Sequence, residues 1–496
     1  MGAQPNAYPE ADEHRVLPAW PQGRRIAIVN WRDPDHPQAG GAEVYCTEVA
    51  QWLARAGAEV TLVTARAPGQ DRESERDGVR IRRMGGRFSV YPRVHLWLRR
   101  RRRQIDAVLD CQNGIPFFAP IAVGRRVPVV LLMHHVHQEQ FALHFGARLA
   151  GIGRFLEGPA SRIAYRGRPI IAVSPSTRAE VRSLLRLPAP IYVVPNGISR
   201  PEIDTRDPAP EPSIVSVGRL VVQKGLHHAI DAVAEARQTL PGLKFHIVGD
   251  GPELPLLRQQ VERLGLQDAV VLHGRVTDAD RDLLLSQSWI FLSASQREGW
   301  GVAVLEAAAH GVPAIAYDVP GLRDAVRHRA TGWLVSAEDS LAETIVDAVQ
   351  RLQEPGQLAA AATRCRDWSA NFGWNRTGRR VSELLRSESD RLLTGRPTRE
   401  PLDLVTRVEI SADRATKWVH RPLQGQRLTD DWRWTPTRLI GLLYGTDEVG
   451  ADRALERLGL DPDASVSVAL THDLLGDLPD QPPSPEVVQA DEARAG

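Results

Sequence analysis

Two glutamates with seven residues between them, Glu298 and Glu306, bracket the segment EGWGVAVLE, which directly follows the apolar run WIFLSAS. A strand that runs into a glycine loop and then a helix brings backbone amides and the positive helix end to the loop, favouring an anionic diphosphate. Gly299 and Gly301 carry no side chain and let backbone approach a ligand closely. Glu306 lies about 12 Å along the helix from Glu298 at helical rise. That is too wide for one proton-transfer pair and suits two carboxylates holding different hydroxyl groups of one extended ligand. A second element, GRLVVQKG, again ends a strand and precedes a helix. Here Gly218 opens the turn, and Arg219 and Lys224 flank it as a planar fork and a point charge suited to pyrophosphate. The segment lacks the Gly-Lys-Ser/Thr ending of a Walker A loop, and Gly249-Asp250-Gly251 lacks the third glycine of a dinucleotide fingerprint. Singly, Glu306 reads as an ordinary helix charge and Glu298 as an acid favoured at a helix start. The four together, at successive strand ends, read as one site.

These residues must be positioned by alternating strands and helices. RIAIVN, EVTLVTA, IDAVLDC, PVVLLM, PIIAVS and IYVVPNG read as buried strands with helical material between them. One such helix, AEVYCTEVAQWLARAG, sets Val44, Val49 and Leu53 on one face. The alternation restarts with PSIVSVG, KFHIVGDG, VVLHG, WIFLSAS, PAIAYD and GWLVS. Strand and helix in repetition mean parallel βαβ units, so the expected fold is α/β, with two Rossmann-like doubly wound domains facing across a cleft. The expected boundaries are a disordered tail over 1–23, an acceptor-side domain over 24–198, and a Pro- and Asp-rich linker over 199–212. A donor-binding domain over 213–370 and a helix over 371–390 returning to the first domain follow. Residues 391–478 form an extension without an assignable function, with a strand at DLVTRVEI, aromatic KWVHRPLQ and DWRWTP, and a helix at DRALERLG; a Pro-rich acidic tail fills 479–496.

The stretches VGRLVVQKG, VGDGPE, EGWGVAVLEAAAHGVPAIA and TGWLV resemble the family 4 retaining glycosyltransferases of GT-B fold, over roughly residues 24–385. That resemblance implies a hexosyltransferase that moves a sugar from a nucleotide-sugar to a lipid, glycan or small-molecule hydroxyl. UDP-sugars are the commonest donors, with GDP-mannose the main alternative. By the same resemblance Arg219 and Lys224 bind the donor diphosphate, Glu298 contacts sugar hydroxyls and Glu306 the ribose. Backbone groups of Gly299, Trp300, Gly301 and Val302 lie along sugar and phosphates, and the base sits near Gly274–Val276. Trp300 stands where the family usually has Phe, a departure that bears on the donor pocket. Gly40 and Gly41 resemble the family's glycine loop, and Asn196-Gly197 its interdomain turn. His134 takes the place of a histidine close to the reacting sugar, with His135 and His137 leaving the register open by one or two residues. Catalysis is then front-face substitution with retention, the leaving phosphate accepting the acceptor's proton, and no metal or other cofactor is expected. Asp33-Pro-Asp35 has D-x-D form but precedes the glycine loop, and it reads as loop chemistry.

Competing classes are an epimerase on the same fold, which needs acid/base groups around the sugar, a pyridoxal-dependent phosphorylase, whose lysine signature is missing, and an inactive scaffold. Composition narrows the setting. With 42% hydrophobic and 25% charged residues and a net charge of +1, the chain of 496 residues is globular and gives no global reason to bind nucleic acid. Three scattered cysteines fit a reducing cytoplasm, and Cys46 and Cys111 read as packing residues. The start of the chain has no apolar signal core. Ten arginines and no acid occupy Arg80–Arg103. They form either a solvated helix face or a patch drawn to an anionic membrane at its cytoplasmic side, anchored by Phe88, Tyr91, Leu96 and Trp97.

Overall fold

The computed structural model describes residues 20–37, 39–199, 201 and 206–394, and in the C-terminal part 404–411, 431–434, 438–444, 465–470 and positions 451, 454, 455 and 458. The first sheet has eight strands: β1 (Arg25–Val29), β2 (Glu59–Thr64), β3 (Glu73–Arg76), β4 (Val79–Arg83), β5 (Ala107–Gln112), β6 (Val129–Met133), β7 (Ile170–Ala172) and β8 (Ile191–Val193). Their order is β3-β4-β2-β1-β5-β6-β7-β8. All pairings are parallel except the edge pair β3–β4. Strands β5 and β6 are buried at every residue, because helices cover both faces of the sheet. The edge strands read ESER and VRIRR, and charge at a sheet edge discourages pairing with another chain.

The second sheet is wholly parallel, with order β11-β10-β9-β12-β13-β14. Its strands are β9 (Ser213–Val217), β10 (Lys244–Val248), β11 (Val270–Gly274), β12 (Ile290–Ser293), β13 (Ala314–Tyr317) and β14 (Gly332–Val335). In both sheets the winding direction reverses beside the first strand, between β1 and β5 and between β9 and β12. Ligands of doubly wound sheets sit beyond the carboxyl ends at such a reversal.

Within residues 199–212, part of the expected linker packs on the second sheet's domain. The Arg206 guanidinium donates to the carbonyls of Ser288, Trp289 and Leu358, and Ala209 N donates to Gln287 O. Helix Trp374–Thr394 lies on the first domain. Gly378 sits so close to the Trp52 ring that an added Cβ would come within 2.3 Å of it, and Thr377 Oγ1 donates to Pro195 O. Arg168 pairs with Glu388 at 2.7 Å.

Residues from Arg396 onward form a separate unit, an antiparallel sheet of order β16-β17-β15-β18, from β15 (Leu404–Ser411), β16 (Asp431–Trp434), β17 (Arg438–Tyr444) and β18 (Ser465–Leu470). Ala451, Ala454, Leu455 and Leu458 recur at helical spacing and bury against Val408, Ile410, Leu439 and Leu443. β15 and β16 fall on DLVTRVEI and DWRWTP, while β17 and β18 had no expectation. Residues 1–19, the segment KWVHRPLQ and the tail from 471 lie outside the described residues.

Candidate active site

A cleft of about 1230 Å³ opens at the carboxyl ends of both parallel sheets. Each of its main side chains arrives from a loop that follows a strand. Gly40 and Gly41 follow β1, Asn113 follows β5, and His134 follows β6. From the second sheet, Gly218, Arg219 and Lys224 follow β9, and Glu298 follows β12, the two strands that flank the reversal.

Lys224 Nζ and Glu298 Oε1 form an ion pair at 2.5 Å, half-buried on the floor of the cleft. Gly225 starts the following helix at φ +61°, and an added Cβ would meet Ala294 O at 2.2 Å, so only glycine holds the lysine turn against β12. Arg219 is exposed and reaches across to the other domain. Its Nη2 would lie 3.9 Å from a Cβ on Gly40. Gly40 caps helix Gly41–Arg55 with its N–H donating to Glu43 Oε2 at 2.8 Å. Glu43 also accepts from Asn113 and pairs with Arg32 at 3.3 Å, and burial pushes its carboxyl up against the pull of that arginine. Asn196 Nδ2 donates to Gly41 O, so the Asn-Gly turn braces the glycine loop.

Glu306, on helix Val302–Ala309, lines the cleft. Burial raises its carboxyl above the ordinary range, opposed by the charge of Arg281. Gly301 caps that helix at φ +81°. Its conformation therefore demands glycine for a reason other than ligand approach. Gly299 differs again: an added Cβ would lie 2.4 Å from His134 O, so the missing side chain makes room for the opposite domain. The Trp300 indole is only 4% exposed and packs edge-on to Phe372 at 5.1 Å. The Trp-for-Phe change thus acts on core packing as well as on the cleft wall, which Trp300 helps to line. Val302 and the loop from Glu298 line the cleft, whereas Gly274 and Val276, at and beyond the end of β11, are outside its lining.

His134 is the first of three histidines, with His135 and His137, that line the cleft. It is buried, edge-on to the Tyr45 ring, and its Nε2 has no hydrogen-bond partner among the described residues although the residue borders the cleft. Burial drives its pKa down to about 3, with His135 and His137 adding to the effect, so the imidazole is neutral. His137 also lines the cleft but is engaged by a carboxylate. Its N–H and ring meet Glu157, a buried carboxyl held by Gln112 and Gln138 and raised by burial to about 7. Sequence reasoning missed Arg32, Asn113 and Glu157, whose only signal was their place just after strands or inside a short helical run.

Asp33 and Asp35 both pair with Arg83, at 2.6 and 2.8 Å, and Asp35 pairs with Arg76 as well. That fixes the loop after β1, and it also divides the arginine-rich stretch. Arg80–Arg83 are strand β4 with Arg83 buried, while Arg99, Arg100, Arg102 and Arg103 project at the exposed end of helix Val90–Arg101. Val44, expected on the buried face of its helix, is instead exposed to the cleft, while Val49 and Leu53 are in the core. No helix among the described residues is long and apolar enough to cross a membrane.

Two doubly wound sheets with their carboxyl ends facing one cleft define the GT-B class of glycosyltransferase. Sequence families agree. "Glycosyltransferase Family 4" matches residues 39–200 and "Glycosyl transferases group 1" residues 202–364, one for each sheet. The chain belongs to the family 4 glycosyltransferases. It is 32% identical over 207 residues to an exopolysaccharide phosphotransferase of Streptomyces coelicolor, a match covering 41% of this chain but only 21% of that protein. With a GDP-mannose-dependent alpha-(1-6)-phosphatidylinositol monomannoside mannosyltransferase of Mycobacterium tuberculosis it is 27% identical over 278 residues, 49% of this chain and 72% of the other. The fold is similar to that of sucrose-phosphate synthase from Thermosynechococcus elongatus, with TM-score 0.62 at 20% identity, covering 75% of this chain and 100% of that one.

Proposed function

We infer that the protein transfers a hexosyl group from a nucleoside-diphosphate sugar to an acceptor hydroxyl with retention of anomeric configuration. The observation that carries this reading is the convergence of Arg219, Lys224, Glu298 and Glu306 on the winding reversal of the second sheet. Arg219 and Lys224 hold the diphosphate as a cationic fork and point charge, and the first turn of helix Val302–Ala309 adds its dipole. Lys224 meets the diphosphate while already paired to Glu298, so the sugar grip and the phosphate grip are coupled. Glu306 takes the ribose hydroxyls. A buried carboxylate gains from hydroxyl donors that replace lost water.

In the reaction the bond from the anomeric carbon to the diphosphate oxygen breaks, and the acceptor oxygen bonds that carbon on the same face. The acceptor's proton passes to the departing phosphate oxygen, so no side chain has to serve as base. The neutral His134 holds sugar or acceptor hydroxyls through its unpartnered Nε2 rather than supplying charge. The cations at Arg219 and Lys224 stabilise the leaving diphosphate without a metal. UDP-sugars suit the family resemblance. GDP-mannose is favoured instead by the mannosyltransferase relative, whose length is mostly covered by the match. Acceptor hydroxyls of lipid, glycan or small molecule all fit this chemistry, and the exposed arginines among Arg99–Arg103 favour work at an anionic membrane face. Incubation with UDP-glucose, UDP-N-acetylglucosamine and GDP-mannose, followed by proton NMR of the released or transferred sugar, tests the reading. Turnover of one α-linked donor to an α-linked product is expected; a β-linked product contradicts retention.

A further inference from the structure

The acceptor half of the cleft is built unlike the donor half. Phe88, Phe141, Phe145, Leu149, Ile152 and Leu156 line it. Phe88 is 66% exposed, Leu149 58% and Ile152 55%, although each could have been polar at no cost to the core. Leu149 and Ile152 lie one turn apart on helix Ala147–Phe155 and face the cleft beside Gly153. An added Cβ on Gly153 would come within 2.7 Å of the Phe141 ring, so glycine there lets that ring lie flat on the helix and complete the wall. A contiguous apolar lining open to solvent marks a binding surface rather than chance exposure.

Charge singles out the kind of ligand. The Arg87 guanidinium stands 5.3 Å from the centres of both the Phe88 and Phe145 rings, at the border of the apolar wall. Residues 141–190 hold eight arginines against two glutamates, and although Arg168 is committed to Glu388 and Arg178 is buried, the cations still outnumber the acids. Of those acids Glu157 is buried and Glu180 is paired with Arg297; Glu139, at the cleft edge, is paired with the same arginine. Arg148 and Arg154 flank Leu149 and Ile152 and are exposed. An apolar wall bordered by an excess of cations complements a hydrocarbon chain joined to an anionic group.

Building on the glycosyl-transfer reading, we propose that the acceptor is an anionic amphiphile whose hydrocarbon chain lies against Phe88, Phe145, Leu149 and Ile152. Its charged group meets Arg87 and Arg148, and its hydroxyl points toward His134. The site thereby selects a lipid-linked acceptor over a free sugar.

Calorimetry with monomeric dodecyl phosphate, with methyl phosphate as the headgroup alone, tests this on the full chain. The wild type is expected to bind dodecyl phosphate and to show no heat with methyl phosphate. The Leu149→Asp/Ile152→Asp double variant is expected to lose affinity by roughly tenfold or more, and Leu149→Met/Ile152→Met to retain it. Equal affinity of the wild type and the Asp variant for dodecyl phosphate overturns the proposal, as does methyl phosphate binding as tightly. Titration of the same variants with UDP and GDP separates the two readings. Nucleotide binding unchanged beside a lost dodecyl phosphate site supports the proposal and shows the variant folded. If the wild type binds neither nucleotide, the glycosyl-transfer reading fails, whatever the amphiphile does.

Discussion

At the residue scale the site is a set of charges already matched in part to one another. The Lys224–Glu298 pair is the clearest case, because a diphosphate must compete with Glu298 for the ammonium. Glu298→Gln should therefore tighten binding of a nucleoside diphosphate severalfold while slowing sugar transfer by roughly a hundredfold, since the sugar loses its carboxylate. Calorimetry with UDP or GDP and a transfer assay read the two effects separately; both falling together would deny the competition. His134 gives a pH prediction. Its folded pKa of about 3 lies below the ordinary 6.5, so the unfolded chain binds the extra proton between those values. Stability contributed by the neutral ring is present above pH ~6.5 and is lost as pH falls toward the folded value, at about 1.4 kcal/mol per unit. Replacing His134 by Leu should flatten the acid side of a Tm-against-pH curve. Glu157 has the opposite sign: its folded pKa of about 7 exceeds the unfolded value, so its contribution is full at low pH and fades as pH rises through 7. Glu157→Gln should then raise Tm at pH 8 relative to pH 5.5, a comparison that scanning calorimetry makes directly.

At the element scale, glycines decide how close the two sheets' loops may come. The Gly299 contact with His134 O joins a donor loop to an acceptor strand end, and Gly299→Ala should force them apart. We expect transfer to drop by more than tenfold while stability falls by about 1–2 kcal/mol. Wild-type transfer in that variant would show that the close approach is dispensable. The elements themselves were legible to different degrees. Runs such as PVVLLM and WIFLSAS announce buried parallel strands because both faces are covered, and all six strands of the second sheet could be read. ESER and VRIRR could not, since edge strands carry charge and lose the apolar signal. Glu298, Glu306, Arg219 and Lys224 could be singled out by type and spacing, and the structure brings all four to one cleft. The reasons for Gly299, Gly301 and Trp300 were not, because each is set by a partner distant in sequence or by local geometry: His134, the turn itself and Phe372.

At the scale of the whole molecule, one chain supplies two walls of different character. The loops of the second sheet bring cations and carboxylates to the cleft, and the first adds an apolar stretch beside Arg87. Helix Trp374–Thr394 locks back onto the first domain, so a single polypeptide crosses between the domains twice. The unit from Arg396 onward has its own small core, and no residue of the donor set belongs to it. Removing residues 396–496 should thus leave nucleotide affinity within about twofold, provided the shortened chain keeps a cooperative unfolding transition. A tenfold loss would tie that unit to the donor site.

The central claim is that the second sheet's reversal binds a nucleoside diphosphate. Calorimetric titration of the full chain with UDP and with GDP, in the wild type, Arg219→Ala and Glu306→Ala, tests it most directly. One nucleotide should bind the wild type at micromolar affinity or better, and each variant should weaken it by roughly tenfold or more. Absence of binding for both nucleotides, or equal affinity in wild type and both variants, would contradict the assignment of the site.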